Sequence, residues 1–264
     1  MKTIKLVSLF FISLSIFIQT AASAESFRAR IVKVDGHVYV VNSEGEQREP
    51  SKKQYLVNSN ETVITRKDSK AVIQFEDGAM SVLDEKSSLR VEQSGWLSQL
   101  GGKVYYVFRK VFGRDRPKKV KTKFATIGIR GTTFIVNIDS DNQQVALQEG
   151  KLNIESPGDD YAVIKPEAGM DDFAAFKKQA EQRNQAMQDE FSDYKKNINK
   201  EFVEYKKSFD LEANKVINIR GQSVRESELD QDWESSFDSF SEFSKDYIDA
   251  YRELDQSTEN GDFD

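Results

Sequence analysis

The chain has 264 residues, 38 Lys plus Arg against 44 Asp plus Glu, a formal charge of −6, one histidine and no cysteine. These counts exclude disulfides, thiolate chemistry and any multi-histidine metal centre, so packed cores alone must hold the fold. The acid surplus is local: from Gly221 onward fourteen acids face only Arg225, Lys245 and Arg252, which disfavours nucleic acid and anionic lipid as partners of that end.

At the start, Met1-Lys-Thr-Ile-Lys5 leads into an apolar run from Leu6 to Ile18 and then Ala22-Ser23-Ala24 before Glu25. That is the layout of a cleaved secretory signal, so residues 1–24 are read as an export signal with cleavage after Ala24. No later run approaches about 20 continuous apolar residues, so no integral membrane segment is expected.

Residues 25–164 read as many short strands cut by turn signals. The runs are Phe27 to Val34, His37 to Val41, Thr62 to Thr65, Ala71 to Phe75, Ala79 to Leu83, Leu89 to Val91, Val104 to Phe108, Val120 to Val136, Val145 to Gln148 and Leu152 to Ile154. Asp35-Gly36, Glu44-Gly45, Asp77-Gly78 and Glu149-Gly150 punctuate them, and glycine supplies the positive φ of a tight turn. The pattern implies an all-β domain, with a sandwich, a roll and an irregular solenoid all compatible.

In V-K-T-K-F-A-T-I-G-I-R-G-T-T-F-I-V, Gly128 and Gly131 bracket Arg130 among β-branched residues, so the arginine is expected at a kink of the sheet. Just before it, Arg109, Lys110, Arg114, Arg116, Lys118, Lys119, Lys121 and Lys123 are opposed only by Asp115. Gly113 and Pro117 make this stretch a loop, a candidate anion site for the acidic face of a partner or for an envelope polymer. The lone His37 lacks a nucleophile to serve, and Asp139, Asp141 and Asn142 lack the glycine and distant glutamate of a calcium loop. No catalytic set, cofactor motif or metal site is therefore expected.

Asp77-Gly78 in F-E-D-G-A-M-S-V-L, the A-T-I-G-I-R-G-T-T-F-I-V run with Arg130, Gly131 and Thr132, and Glu149-Gly150-Lys151-Leu152 occur in the order seen in FecR-like periplasmic domains. The chain resembles that family from about residue 27 to 155. Asn60-Glu61 stands where the family usually has Gly-Asp, and Lys123 where a proline is common. The founding members are membrane-spanning regulators that couple an outer-membrane receptor to a sigma factor. The resemblance implies a periplasmic interaction module, with the motif residues serving the fold.

After Pro157-Gly158 and Pro166 the composition turns to Lys, Glu, Gln and Ala. Phe191, Tyr194, Ile198, Phe202, Tyr205, Phe209, Ala213 and Val216 are spaced 3 or 4 apart, and E-F-S-D-Y-K-K returns eleven residues later as E-F-V-E-Y-K-K. The spacing predicts one long amphipathic helix in the segment 165–221, of up to about 48 residues and on the order of 70 Å long. Arg220-Gly221 is read as its end, and Ser223-Val-Arg-Glu226 as the capping box of a second, acidic helix over 222–258. That helix carries Leu229, Trp233, Phe237, Phe240, Tyr247, Tyr251 and Leu254, and 259–264 form a tail. An antiparallel helical hairpin follows, making the whole chain α+β.

These readings favour an exported binding or scaffold protein. Its β domain would take an envelope protein or glycan, its hairpin would space or self-associate copies, and no nucleic acid would bind. An envelope sensor is the alternative. A glycan hydrolase using two carboxylates about 5–9.5 Å apart is the third reading, although no acid sits in a distinguishing motif.

Overall fold

The computed structural model describes residues 29–50, 55–92, 96–108, 118–164 and 203–259, with side chains to residue 250. Within them the chain forms seventeen strands in one mixed sheet and one helix. The sheet folds over on itself into two layers.

Four strands lie in the first layer, β1 (Ala29–Asp35), β4 (Tyr55–Val57), β6 (Lys70–Phe75) and β7 (Met80–Leu83). Another five lie in the second, β2 (Val38–Val41), β3 (Gln47–Arg48), β5 (Thr62–Thr65), β8 (Ser88–Val91) and β10 (Lys118–Lys121). Three long strands pass through both, β9 (Leu97–Phe108), β11 (Thr126–Ile138) and β12 (Gln143–Glu155). The first half of β9 pairs with β8 and β10, whereas its second half pairs with β7 and β11.

Each long strand turns its corner at a glycine with positive φ: Gly102 at 79°, Gly131 at 63° and Gly150 at 90°. Gly131 and Gly150 meet back to back, and a Cβ on Gly150 would lie 2.3 Å from the Gly131 carbonyl oxygen. No L side chain fits there. Glu149-Gly150 is thus a corner within one strand instead of a hairpin turn. Asp35-Gly36 is a corner as well, because β1 pairs with β6 while β2 pairs with β5. Glu44-Gly45 and Asp77-Gly78 do close hairpins, β2–β3 and β6–β7.

The core lies between the layers. Ile73, Leu83, Val104, Tyr106, Phe134 and Val136 from the first layer meet Val63, Leu89, Leu97, Val120, Ile127, Leu152 and Ile154 from the second. Tyr106 and Phe134 stack at 4.9 Å.

The expected helix over 165–221 is corrected for its second part. Residues 203–228 form β14 (Val203–Lys206), β15 (Ser208–Glu212), β16 (Lys215–Arg220) and β17 (Ser223–Glu228). Tyr205 and Phe209 lie on strands, and Ser223–Glu226 begins a strand instead of capping a helix. Positions 202, 205, 209, 213 and 216 do fit a helical stripe, but Val203/Tyr205, Phe209/Leu211 and Ile217/Ile219 also alternate with period 2. Asn214 and Gly221 have φ of 61° and 57°, which breaks a helix twice within eight residues. Phe209, Leu211, Ile217 and Ile219 extend the core, and β15 and β16 pair with the two halves of β12. β13 (Tyr161–Ile164) pairs with both β14 and β17.

The helix that is present, α1 (Gln231–Glu259, 29 residues), begins where Asp230 Oδ1 accepts from the Asp232 and Trp233 amides. It forms no hairpin with another helix among the described residues. Trp233, Phe237, Phe240, Phe243, Tyr247 and Ile248 pack instead on the outer face of the first layer, against Val72, Met80, Val82, Tyr105, Val107, Ile135, Ala146 and Val216. Phe240 stacks on Tyr105 at 5.6 Å, and Phe237 meets it edge-on at 6.0 Å. Lysines rim this contact: Lys33 Nζ donates to the Phe243 carbonyl at 2.8 Å and sits 4.4 Å from its ring, and Lys103 lies over Trp233. No helix among the described residues is long and apolar enough to cross a membrane.

Candidate interaction face

The outer face of the second layer is built by strict alternation. In β2 and β5, Val40 and Val63 point into the core, so Tyr39, Val41 and Ile64 point out. Leu89, Leu97 and Val120 likewise point in, so Arg90, Trp96, Ser98, Lys119 and Lys121 point out. Leu100 beside them is 49% exposed. No α1 equivalent covers this face among the described residues.

Where β9 begins stands Trp96, a half-buried indole with Lys121 Nζ 4.2 Å and Lys119 Nζ 5.0 Å from its ring. Such contacts stabilise by about 0.5–1 kcal/mol each at exposed sites and fix two long side chains in one place. Arg90 donates to Thr62 Oγ1 at 3.2 Å, and Arg66 lies over Tyr39 at 5.2 Å. Glu92 lies among them, accepting from Ser98 Oγ at 2.6 Å. The result is a patch of Tyr39, Val41, Ile64 and Leu100 bordered by four cations.

Further along, Gly128 faces Asn153 across the register, and Asn153 donates to Asp210 at 2.9 Å. Lys151 sits between Asp210 at 3.0 Å and Glu212 at 2.9 Å. The hydrogen bonds that Lys151 donates to Glu212 and Asp210 raise its ammonium pKa, and those that Asp210 accepts from Asn153 and Lys151 lower that of its carboxyl. This half is neutralised within itself.

The sequence-derived basic cluster is therefore divided. Lys119 and Lys121 are on the open face. Lys118, on alternate parity, points between the layers, over the Phe108 ring at 5.1 Å and into an ion pair with Asp77. Burial opposes its charge and lowers its pKa to about 7, with Asp77 as counter-ion. Lys123 leaves the cluster too, donating to the Ser140 carbonyl. Arg109, Lys110, Arg114 and Arg116 lie outside the described residues, as do Phe191, Tyr194 and Phe202.

Asp77-Gly78, Arg130-Gly131-Thr132 and Glu149-Gly150 gather at one end of the two layers, where β11 and β12 turn their corners and the Asp77–Lys118 pair joins the layers. Arg130 itself is exposed. Asn60 adopts φ of 68°, a left-handed conformation that asparagine tolerates, and the Glu61 carboxylate accepts from the Asn58 amide and from Arg48. The Asn60-Glu61 pair thereby serves the turn in which the family usually has Gly-Asp. No group of potential metal ligands occurs among the described residues.

The sequence reading missed Trp96, Arg66, Arg90, Tyr39, Ile64 and Leu100. The available signal was period-2 alternation in W-L-S-Q-L and V-Y-V-V, whose outward members form the patch.

Comparison with curated protein sequences returned no match. The family model described as FecR protein matches residues 61–153, and this stretch is a FecR domain. Two crystal structures of a protein described as a putative anti-sigma factor from Parabacteroides distasonis, at 1.65 and 2.50 Å resolution, are similar at 12% identity and a TM-score of 0.41. Each similarity covers 64% of this chain and 60% of the other, so less than two thirds of that protein's length is spanned.

Proposed function

We propose that this protein is an exported sensor in bacterial envelope signalling, whose FecR domain receives a protein partner on the open face of the second layer. The observation that carries this reading is the asymmetry of a FecR domain whose one outer face is closed by α1 while the other presents Trp96 between Lys119 and Lys121. A FecR domain supports signalling over static scaffolding, and protein over glycan as partner. Self-association through a long helix is not carried forward, because β14–β16 occupy the second part of that segment.

Export rests on the residue 1–24 leader and implies a periplasmic chain beginning at Glu25. N-terminal sequencing of the exported form should find Glu25 first, and retention of the leader would remove this element. For the sensor role, a deletion strain should lose a signal-dependent transcriptional response that the wild-type gene restores. The exported and folded Lys119→Glu/Lys121→Glu variant should fail to restore it, while Asp238→Asn on the solvent side of α1 should succeed. Full restoration by the double variant would defeat the reading.

A further inference from the structure

We infer that the open face of the second layer is a docking surface for an acidic amphipathic segment of a protein partner, one carrying an apolar stripe flanked by Asp and Glu. The inference deepens the sensor reading and rests on it for the cellular role. Two features specify the occupant. The patch of Tyr39, Val41, Ile64 and Leu100 is mainly aliphatic, which suits side chains of a peptide stripe better than sugar rings, and Gly101 beside it leaves open space above the backbone. Around it stand Arg66, Arg90, Lys119 and Lys121 with Glu92 among them, a surplus of positive charge that favours acids on the incoming segment.

The molecule already shows this mode of recognition on its other side. The outer face of the first layer is apolar, is rimmed by Lys33, Lys70 and Lys103, and is covered by α1. That helix is an amphipathic segment with an aromatic stripe and exposed Asp232, Glu234, Asp238, Glu242 and Asp246. The second layer repeats the elements of that face, an apolar centre with a cationic rim, and lacks an intrachain cover among the described residues. A polyanionic glycan would satisfy the cations but not the aliphatic centre, and a neutral glycan neither.

The test uses the full exported chain carrying Trp233→Phe. The sequence has two tryptophans, so Trp96 becomes the single indole. The probe is a synthetic peptide of residues 229–250 with its tryptophan replaced by phenylalanine. Controls are a scrambled peptide of equal composition, heparin and a neutral oligosaccharide. The peptide should change Trp96 emission saturably and bind more weakly as salt rises. Lys119→Glu/Lys121→Glu, and separately Leu100→Asp, should each weaken it by about tenfold or more. All these positions point outward, so unchanged circular dichroism and melting establish that the variants are folded. The inference is overturned if no binding occurs, if the scrambled peptide or heparin binds as well, or if either variant leaves affinity unchanged. Failure here with the face-dependent transcriptional response intact would reject this partner chemistry alone. Peptide binding without that response would reject the sensor reading alone.

Discussion

The two outer faces of this folded sheet share three long strands, β9, β11 and β12, and end differently. Along β9, the first layer presents Tyr105 and Val107 outward, and along β11 and β12 it presents Ile135 and Ala146, all beneath α1. Past the corners the same strands present Ser98, Leu100, Gly128, Arg130, Lys151 and Asn153. A single strand thus changes from needing a cover to standing open across one glycine. Whether a face is covered is written residue by residue along the strand and not by the fold as a whole.

Removing the cover should produce the largest effect. A chain ending at Asp230 uncovers Val72, Met80, Val82, Tyr105 and Ile135, and should aggregate or bind a hydrophobic dye where the full chain does neither. Phe240→Ala, which removes a ring stacked on Tyr105, should cost about 3–5 kcal/mol in denaturant unfolding. If either change is mild, the covered face is not held by this aromatic contact.

Next comes the corner that separates the faces. Gly150→Ala places a methyl group against the Gly131 carbonyl at φ of 90°, and should destabilise by more than about 1 kcal/mol. A neutral outcome would mean that β11 and β12 can turn their corners without back-to-back glycines.

Lys118 tests the boundary between inward and outward cations. Its pKa in the fold is about 7, below the ordinary 10.5, so between those values the unfolded chain holds more protons and stability should rise with pH. Below pH 7 both states are protonated and the whole penalty is present. Lys118→Met should abolish this part of the slope and be relatively more stable at pH 6 than at pH 10, as measured by urea unfolding at each pH.

The smallest effect is expected on the open face. Lys119→Glu/Lys121→Glu should shift unfolding by no more than about 1 kcal/mol per site, the size of an exposed cation–π contact. A large loss would assign Trp96 and its lysines to stability instead of binding.

Much of the first half was legible in sequence, because strands there are short and bounded by acid-glycine pairs. The need for positive φ could be read at Gly36, Gly45, Gly78 and Gly150, and all four adopt it. Pairing could not be read, since hairpins and corners use the same glycine conformation and differ only in where the flanking strands go. The cover on the first layer had left a trace. V-Y-Y-V-F at 104–108 and F-I-V at 134–136 are unbroken apolar runs, which only a sheet buried on both sides accommodates. In 203–228 two periodicities coexist, and β-branched Val216, Ile217, Ile219 and Val224 with turns at Asn214 and Gly221 favour strands. The basic cluster was visible as composition, but which lysine points in or out depends on register, and that separated Lys118 from Lys119.

The docking of α1 carries a consequence for how the molecule reaches this state. Tyr247 donates to the Val32 carbonyl at 2.9 Å and Lys33 to that of Phe243, contacts between residues 215 and 210 positions apart. The first strand and the helix near the other end therefore close on each other only after nearly all the intervening chain has emerged. Such long-range closure makes folding slow, and until α1 has emerged the apolar outer face of the first layer stands bare. The interval before α1 arrives is the one in which that bare face is most open to aggregation.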